Sequence, residues 1–566
     1  PPLPQDTQLA SQWQQTFGCA TSLALANAAA NSQGPLLLIC QDNESVEQFK
    51  RELRYFCSKL PNKANPVQVF SLPDWETLPY DNFSPHQDIV SDRLSALYHL
   101  PDLQQGILVT SIGSLMHKLP PKKYIRGNSL DLAVGQQLSI QDMRSRLVDA
   151  GYQSVDSVFE HGEFAVRGSI LDIYPMGSRF PYRIDLLDDE IETLRTFNPE
   201  TQRSEQRIEQ IRLLPGREYP LDARGITAFR SNFREKFDID LRQCPIYQDV
   251  SDGISSPGLE YYLALFYERL DSLFDFLPPT TTYCKVGDLA GAGQNFWQDI
   301  KQRYEDRQID RYRPILPPAD IFLAIDTVLA DLKQFKQISF ASGRSAVSLQ
   351  SLRLPELSSD AKLKTPFAAV EQFIQQNPEQ RIVFCAESAG RRETLLDVLK
   401  QIQLRPEQFE HLQDFVDSTS SCGIIVAPLD QGLWLEDKKL LLITEAQLFG
   451  NRIAQRRRRN KNQSNTDFIV KSLTELSVGD AVVHLDHGVG RYRGLQTINT
   501  DGQDTEFLTL EYANAAKLYV PVLSLHLISR YGGSDQETAP LNHLGSDQWQ
   551  KTKRKAAEKI RDVAVE

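Results

Sequence analysis

The stretch GCATSLALANAAA at residues 18–30, followed by GPLLLICQ at residues 34–41, decides the fold of the first part of the chain. Alanine and leucine favour a helix, and the unbroken apolar run after Gly-Pro favours a buried strand. In many α/β domains a phosphate-binding loop precedes such a helix, and that loop needs glycines followed by Gly-Lys-Ser/Thr. No Gly-Lys dipeptide occurs anywhere in the chain. The sequence therefore predicts either an ordinary core helix or a nucleotide site that has lost its chemistry.

The alternation of helix and strand continues for the first hundred residues. Helical patterns at 45–60 and 88–100 separate apolar strands at 67–72 and 106–112. Continuous apolar strands separated by helices are typical of a parallel sheet, because both faces of its strands are covered. We therefore predict a degenerate P-loop-like parallel-sheet domain here.

A different texture begins near residue 120. The segments SILDIYP, PYRIDLLD and DEIETLRTF between residues 169 and 197 alternate apolar and polar residues and are separated by Pro, Gly and Asp. This pattern is typical of antiparallel strands. Helical and apolar material resumes at about residue 216, so an α+β module at 120–215 is predicted to be inserted into a parallel-sheet domain formed by 1–119 and 216–350.

The rest of the chain divides into four further parts. Apolar strands predict a second α/β domain at 351–452, and a basic linker follows at 453–474. Dense short strands at 475–546 predict a small antiparallel β-barrel of the CarD/Tudor-like kind. A charged segment at 547–566 has no Gly or Pro cap, so we expect the chain to end within a helix. The predicted fold class is therefore a multidomain α/β protein.

Composition excludes several classes of protein. A chain of 566 residues, with 41% hydrophobic and 24% charged residues, is expected to be globular and to have several domains. Its net charge of −12 disfavours nucleic-acid binding over the whole surface. No apolar run approaches the roughly 20 residues that span a bilayer, and the first residues lack the charged-then-apolar pattern of a secretion signal, so we do not expect a secreted protein. Seven scattered cysteines without a CxxC pair predict reduced, buried thiols in a cytoplasmic protein.

Three local patterns suggest chemistry, and in each case the structural interpretation is favoured. Glu445 follows an apolar strand as a magnesium-binding carboxylate would, but without a phosphate-loop lysine we predict no catalysis there. His484, Asp486 and His487 are close in sequence, and three ligands on a short turn favour a polar turn over a metal site. The arginine run in the linker favours a solvated segment, with a nucleic-acid contact as the alternative. That run comprises Arg456, Arg457, Arg458 and Arg459.

The inserted module and the predicted barrel each offer a candidate protein contact. On PYRIDLL the period-2 pattern places Ile184 and Leu186 in the core and Arg183, Asp185 and Leu187 on the opposite face. An arginine beside an apolar residue is common at interface hot spots, and Arg167 on a neighbouring strand could join it. Equally, Arg183 could simply pair with Asp185 or with the acidic turn at 188–190.

The strand VGRYRGLQTI at 489–498 carries outward Arg491 and Arg493. An edge strand with free backbone groups can be extended by a strand of a partner. A strand that is paired internally and is merely basic explains the same pattern.

Three long segments resemble the bacterial transcription-repair coupling factors. They are residues 72–101, residues 160–195, and the pair GDAVVHLDHGVGRYRGL and EYANAAKLYVPVLSLHLISRY within residues 479–531. The resemblance implies that residues 1–350 are similar to the amino-terminal half of the excision-repair subunit UvrB, with a motor-like domain that lacks nucleotide binding. It also implies that the module recruits UvrA through Arg167 and Arg183, with Leu187 where some relatives carry an aromatic residue.

The same resemblance implies that residues 475–546 form an RNA polymerase interaction domain related to the CarD-type regulators. In the family this domain pairs with the β subunit of stalled polymerase, which places the contact on Arg491, Arg493 and Ile498. The family's translocase, which uses ATP and Mg to move on double-stranded DNA and displace polymerase, is expected to follow the barrel and to be absent here.

Together these points predict a monomeric recruitment adaptor with no catalytic residue, no metal and no cofactor. Contacts with double-stranded DNA are expected mainly through the absent translocase. Two alternatives remain: a UvrB-like ATP-dependent helicase, and a CarD-type polymerase-binding regulator without a role in repair. The missing Gly-Lys-Ser/Thr motif argues against the first alternative, and the inserted module argues against the second.

Overall fold

A computed structural model describes most of the chain. The described residues are 10–14, 16–59, 67–310, 312–341, 351–358, 367–449, 479–484, 487–500, 503–521, 528–530 and 541–543. The chain divides into two compact units, residues 1–453 and residues 454–566. Within the described ranges no helix is both long enough and apolar enough to cross a membrane.

The first part of the chain alternates strands and helices, as the sequence predicts. Its elements are β1 (Ala10–Gln14), α1 (Ala20–Ala30), β2 (Leu36–Cys40), α2 (Asn43–Ser58), β3 (Gln68–Leu72), α3 (Gln87–His99), β4 (Gly106–Ser111), α4 (Ile112–Met116) and α5 (Lys122–Gly127). Asp42 caps α2, since its Oδ1 accepts a hydrogen bond of 2.7 Å from the Ser45 backbone N–H.

The next segment is rich in short strands. It contains β5 (Leu130–Ala133), α6 (Ile140–Asp149), β6 (Gln153–Ser154), β7 (Glu163–Arg167), β8 (Ile170–Ile173), β9 (Tyr182–Leu187), β10 (Glu190–Phe197), β11 (Ser204–Ile208) and β12 (Gln210–Leu213). Six of these strands form one sheet in the order β11-β10-β9-β8-β7-β6, which is antiparallel except for β6 and β7. We call this sheet the module sheet. The strands β5 and β12 form a separate antiparallel pair.

Helices dominate the following segment before the chain returns to the first sheet. The elements are α7 (Ala223–Lys236), α8 (Pro245–Ser251), α9 (Leu273–Phe276), β13 (Thr282–Val286), α10 (Leu289–Arg307), α11 (Pro318–Ile321), α12 (Ile325–Leu332) and β14 (Lys336–Ala341). Short 3₁₀ turns lie at Leu100–Asp102, Leu241–Gln243 and Leu259–Leu265. An aromatic-rich core stabilises these helices, with Trp75, Phe229, Phe233 and Tyr262 all nearly inaccessible to solvent.

The strands on either side of the module sheet form a single six-stranded sheet. Its order is β1-β14-β13-β2-β4-β3, and every neighbouring pair is parallel. One hydrophobic core joins this sheet to the inner face of the module sheet through residues such as Leu37, Leu108, Phe164 and Ile184. The predicted parallel sheet is therefore confirmed.

A second α/β sheet follows. Its elements are α13 (Ala368–Gln376), β15 (Arg381–Ala386), α14 (Ala389–Gln401), β16 (Glu407–Gln408), α15 (Leu412–Asp417), β17 (Cys422–Val426), β18 (Leu433–Leu435), β19 (Leu440–Thr444) and α16 (Glu445–Phe449). The order is β16-β17-β15-β19-β18, and only β18 runs antiparallel to its neighbour. Helix α1 is buried between this sheet and the first one, because one apolar core contains residues from all three.

The second compact unit contains a five-stranded antiparallel sheet. Its strands are β20 (Ala481–His484), β21 (Gly488–Thr500), β22 (Gln503–Glu511), β23 (Lys517–Pro521) and β24 (Ile528–Arg530), with a 3₁₀ turn at Ala513–Ala515. They lie in the order β23-β22-β21-β20-β24. The predicted antiparallel strands are confirmed here, whereas closure of the sheet into a barrel stays a prediction.

All seven cysteines are described. None forms a disulfide, and all except the half-buried Cys422 are buried. Burial raises the pKa of these thiols above the usual cysteine value, as it does for Cys385 and Cys284. Buried thiols with raised pKa values are poor nucleophiles, so these residues act as small apolar side chains.

Candidate protein-interaction surfaces

Arg167, Arg183 and Leu187 lie on one face of the module sheet. In the strand register Arg183 stands opposite Asp172, Arg167 opposite Ile170, and Leu187 opposite Glu190. Residues directly opposite on neighbouring strands share a face. Of the predicted inward residues of β9, Ile184 and Leu186 are buried and Tyr182 is half-buried, while Leu187 is 63% exposed, so the predicted alternation is confirmed. We call the side of β7 to β11 that carries these three residues the outer face, part of which is covered, since Ala165 and Asp172 on the same side are buried.

A buried carboxylate organises the two arginines of the outer face. Asp172 is 1% exposed and accepts two hydrogen bonds from Arg183, from Nε to Oδ1 at 2.7 Å and from Nη2 to Oδ2 at 2.9 Å. Arg167 Nη2 donates to the same Oδ2 at 3.1 Å. These hydrogen bonds to Asp172 raise the pKa of Arg183. Bidentate pairs of this kind fix a guanidinium in position.

Further contacts hold the Arg183 side chain from its other sides. Its guanidinium carbon lies 5.0 Å from the centre of the Phe197 ring, and Nη1 donates to the Gln202 carbonyl at 3.2 Å. The hydrogen-bonded partner of Arg183 is thus Asp172, and the predicted partner Asp185 adds only a weaker electrostatic attraction. The sequence pattern did not reveal the true partner, because Asp172 lies on β8 and becomes a neighbour only through strand register.

The outer face therefore presents three different groups to solvent. Arg183 is 17% exposed and fixed, Arg167 is 51% exposed, and Leu187 is a projecting apolar side chain. Guanidinium groups held in this way can bind carboxylates, and an adjacent apolar side chain adds area that a protein partner can bury. This chemistry suits recognition of another protein.

The sheet of the second unit holds its arginines differently. Arg493 donates to the Glu511 carboxylate from Nε at 2.9 Å and from Nη2 at 3.3 Å, and both side chains are substantially exposed. The hydrogen bond from Arg493 lowers the pKa of Glu511. Arg491 Nη1 donates to the Gly479 carbonyl at 2.7 Å. Both predicted arginines therefore have partners within the same unit.

Strand β21 is central in its sheet and not an edge strand, which corrects the predicted position of the edge. Over residues 488–491 it pairs with β20 on one side, and from Arg491 to Thr500 it pairs with β22 on the other. Tyr492 also exchanges backbone hydrogen bonds with Gly479 and Asp480. Beyond Tyr492, β21 pairs only with β22 among the described residues, and Ile498 lies in that part opposite Thr505.

The amino terminus of α1 faces a backbone carbonyl of the second α/β sheet. The Cys19 N–H donates to the Gly432 carbonyl at 3.1 Å. Gly18 has φ +58°, and a Cβ built there would lie 1.9 Å from the same oxygen. A phosphate group at this point would compete with the Gly432 carbonyl for the Cys19 N–H and for the space beside Gly18.

The other candidate residues have structural surroundings or lie outside the description. Glu445 forms an ion pair with Arg391 and accepts a hydrogen bond of 3.3 Å from the Glu387 N–H. The rings of His484 and His487 lie 4.8 Å apart, while Asp486 is outside the described residues. The described part of the chain contains no group of three or more potential metal ligands. The arginine run at 456–459 also lies outside the described residues.

Comparison with known proteins identifies three segments of the chain. Residues 130–219 match the UvrB interaction domain, residues 373–448 match the MFD D3 domain, and residues 476–532 match the CarD-like/TRCF RID domain. The first segment contains the outer face of the module sheet, and the third contains β20 to β24.

Whole-chain comparison agrees with these matches. The chain is 44% identical to the transcription-repair-coupling factor of Haemophilus influenzae and 41% identical to that of Escherichia coli, in each case over 97% of this chain and 47% of the relative. The protein of the same name from Rickettsia prowazekii is 28% identical over 94% of this chain and 46% of its own length. The chain thus spans about half the length of the curated relatives that it matches. Over that span it is homologous to the transcription-repair coupling factors.

Proposed function

We propose that the chain acts as an adaptor in transcription-coupled DNA repair, with one surface for UvrA and another for stalled RNA polymerase. The observation that carries this proposal is the convergence of Arg167, Arg183 and Leu187 on one outer face, organised by the buried Asp172. That face lies inside the segment that matches the UvrB interaction domain. UvrA is the partner that this resemblance implies.

The polymerase contact is proposed for the second half of β21. The segment that matches the CarD-like/TRCF RID domain contains this strand, and beyond Tyr492 one of its sides has no pairing partner among the described residues. A strand of the polymerase β subunit could add to that side through backbone hydrogen bonds. Arg491, Arg493 and Ile498 are the residues proposed for the contact.

The parallel-sheet domain is proposed to be a motor-like fold without a nucleotide site. The Gly432 carbonyl at the start of α1 and the missing Gly-Lys-Ser/Thr motif both support this view. Its proposed bounds are 1–119 and 216–350, with the UvrA-binding module at 120–215. We expect no ATP hydrolysis and no shift in melting temperature on adding ATP and magnesium. A stabilising shift would contradict this part of the proposal.

Calorimetric titration of UvrA tests the first contact. We expect the unmodified chain to bind UvrA. The Arg167→Ala, Arg183→Ala double variant should lose binding, since each substitution removes a charged side chain from the outer face. Circular dichroism of the double variant shows whether the fold is retained. A folded double variant that binds UvrA as tightly as the unmodified chain would refute the assignment.

Titration with RNA polymerase tests the second contact independently. We expect the unmodified chain and the Arg167→Ala, Arg183→Ala variant to bind polymerase equally, because those arginines lie in the other compact unit. Sedimentation of the free chain should show a monomer. Binding that depends on the module arginines would contradict a two-surface adaptor.

A further inference from the structure

Three arginines from three adjacent strands stand in a row on the outer face. The register places Arg183 of β9 opposite Arg195 of β10, and Arg195 opposite Arg207 of β11. Neighbouring strands are about 4.8 Å apart, so the row crosses roughly 10 Å of the sheet. Arg207 is exposed and lies on the outermost strand of the module sheet. Neither Arg195 nor Arg207 stands out in the sequence, because the row forms only when the three strands pair.

Within the isolated chain this row is electrostatically unfavourable. Like charges directly opposite on neighbouring strands destabilise a sheet. Asp172 is already shared by Arg167 and Arg183. Asp185 Oδ2 lies 3.9 Å from Arg195 Nε and accepts a hydrogen bond of 2.6 Å from Thr193. The outer face thus carries four guanidinium groups, and the ion pairs of three of them are shared between Asp172 and Asp185.

The hydrogen bonds of Arg195 are also incomplete. Its Nε is buried and has no hydrogen-bond partner among the described residues, although the side chain as a whole is 33% exposed. A buried donor without an acceptor costs stability. Because this Nε is shielded from solvent, a carboxylate of a partner would meet the exposed part of the Arg195 side chain. Positions that break local rules in this way are often functional.

We propose that Arg195 and Arg207 extend the UvrA contact across β10 and β11, and that this part of the surface binds carboxylates of the partner. This inference rests on the proposed function of the module, and it specifies the chemistry of the surface on UvrA. The partner segment is acidic and protein in nature. Carboxylates would supply the missing negative charge and the acceptors that the row needs.

The composition of the outer face favours an acidic protein over nucleic acid. Leu187 projects 63% exposed from the same face, and Asp185 lies among the arginines. The turn that follows β9 contributes Asp188 and Asp189, both exposed. These carboxylates would repel a continuous phosphate backbone, whereas discrete carboxylates beside an apolar contact fit a protein partner.

Charge reversal at the outermost arginine tests the inference. Because Arg207 is exposed, Arg207→Glu and Arg207→Ala are expected to fold normally. We expect Arg207→Glu to weaken UvrA binding at least about tenfold, and Arg207→Ala to weaken it about threefold. The affinity of Arg207→Glu for UvrA should fall less steeply with rising sodium chloride concentration than the affinity of the unmodified chain. The reason is that the variant has lost one attractive charge pair, which salt would screen.

Arg144→Glu is the matched control. It makes the same change in charge at an exposed position of α6, which packs through Met143 and Leu147 and not through the outer face. We expect Arg144→Glu to bind UvrA as the unmodified chain does. A loss as large as that of Arg207→Glu would show a general charge effect and overturn the inference.

The outcomes separate this inference from the proposed function. If Arg207→Glu binds UvrA normally while the Arg167→Ala, Arg183→Ala variant does not, the extension is wrong and the adaptor proposal stands. If the unmodified chain does not bind UvrA, the proposed function fails and the extension fails with it. If Arg207→Glu weakens binding to a short DNA duplex but not to UvrA, the partner is a nucleic acid and the inference is overturned.

Discussion

The two candidate surfaces of this chain use arginine in opposite ways. On the outer face of the module sheet, Arg183 is held by a carboxylate that is 1% exposed. In the second unit, Arg493 pairs with Glu511 in the open, and the feature available to a partner is the unpaired side of β21 among the described residues. The first surface is therefore defined by side chains and the second by backbone. The difference predicts that the two contacts will respond differently to mutation and to salt.

Burial of Asp172 is expected to hold Arg183 more firmly than an exposed carboxylate would. A carboxylate out of water that loses its cation is left uncompensated, which strongly favours the paired arrangement. An exposed ion pair is screened by water and ions and holds its side chains only weakly. A partner of the outer face thus meets a preformed arrangement, and such preorganisation improves affinity because less freedom is lost on binding.

The largest expected effect is on the outer face. We expect the Arg167→Ala, Arg183→Ala variant to lose at least about 100-fold in UvrA affinity, since a central arginine commonly contributes about 1–4 kcal/mol. Its affinity for RNA polymerase should not change. Calorimetry with each partner measures both values. An equal loss of affinity for UvrA and for RNA polymerase would contradict the proposal, because the two surfaces would then not be independent.

A charged residue in the second half of β21 should weaken binding to RNA polymerase and not to UvrA. We expect Ile498→Asp to weaken polymerase binding about 30-fold and to leave UvrA binding unchanged, because a carboxylate beside an added strand must lose its water. Surface plasmon resonance with immobilised polymerase checks the first value. Unchanged polymerase binding would show that this part of β21 is not the contact.

Removal of the organising charge should have an intermediate effect. We expect Asp172→Asn to weaken UvrA binding about tenfold, because Arg167 and Arg183 would lose the anion that positions them. A lower melting temperature is also expected, since the three hydrogen bonds that Asp172 accepts from Arg183 and Arg167 become weaker. Addition of 0.3 M sodium chloride to the unmodified chain provides a readout that structural damage does not mimic. It should weaken the UvrA contact several-fold and the polymerase contact less than about twofold. If salt weakens both contacts equally, the distinction between side-chain and backbone recognition is wrong.

The smallest expected effect is a gain in affinity for UvrA. Leu187 is exposed on the outer face at a position where an aromatic residue is expected in some relatives. We expect Leu187→Phe to strengthen UvrA binding about threefold, because the phenylalanine side chain is larger than that of leucine and buries more apolar area. Calorimetry against Leu187→Ala, which should weaken binding by a similar factor, completes the series. Weaker binding by Leu187→Phe would place this position outside the contact.

The sequence predicts the local order of the chain better than its long-range pairings. Apolar runs such as Leu36–Cys40 and the alternation of Tyr182–Leu187 predict strands correctly, because burial of each residue depends mainly on its position along one strand. The sequence does not reveal the role of Asp172, because Asp172 meets Arg183 only after β8 pairs with β9. The edge position predicted for β21 is wrong for the same reason, since β20 and β24 lie on one side of it.

The start of α1 shows which features of the structure the local sequence predicts and which it does not. Alanine-rich residues 20–30 predict a helix, and the absence of Gly-Lys predicts the loss of phosphate chemistry. Nothing in that stretch indicates that the Gly432 carbonyl would face the Cys19 N–H, because the two residues are far apart in the chain. Local propensity therefore predicts the element, while tertiary packing determines what meets its end.

Titration of UvrA into the chain already bound to RNA polymerase tests the central claim most directly. We expect a ternary complex in which each chain binds UvrA through one surface, with an affinity equal to that of the free chain. The Arg167→Ala, Arg183→Ala variant should bind polymerase but recruit no UvrA. Failure of UvrA to join the polymerase-bound chain, or its recruitment by the double variant, would contradict an adaptor with two independent surfaces.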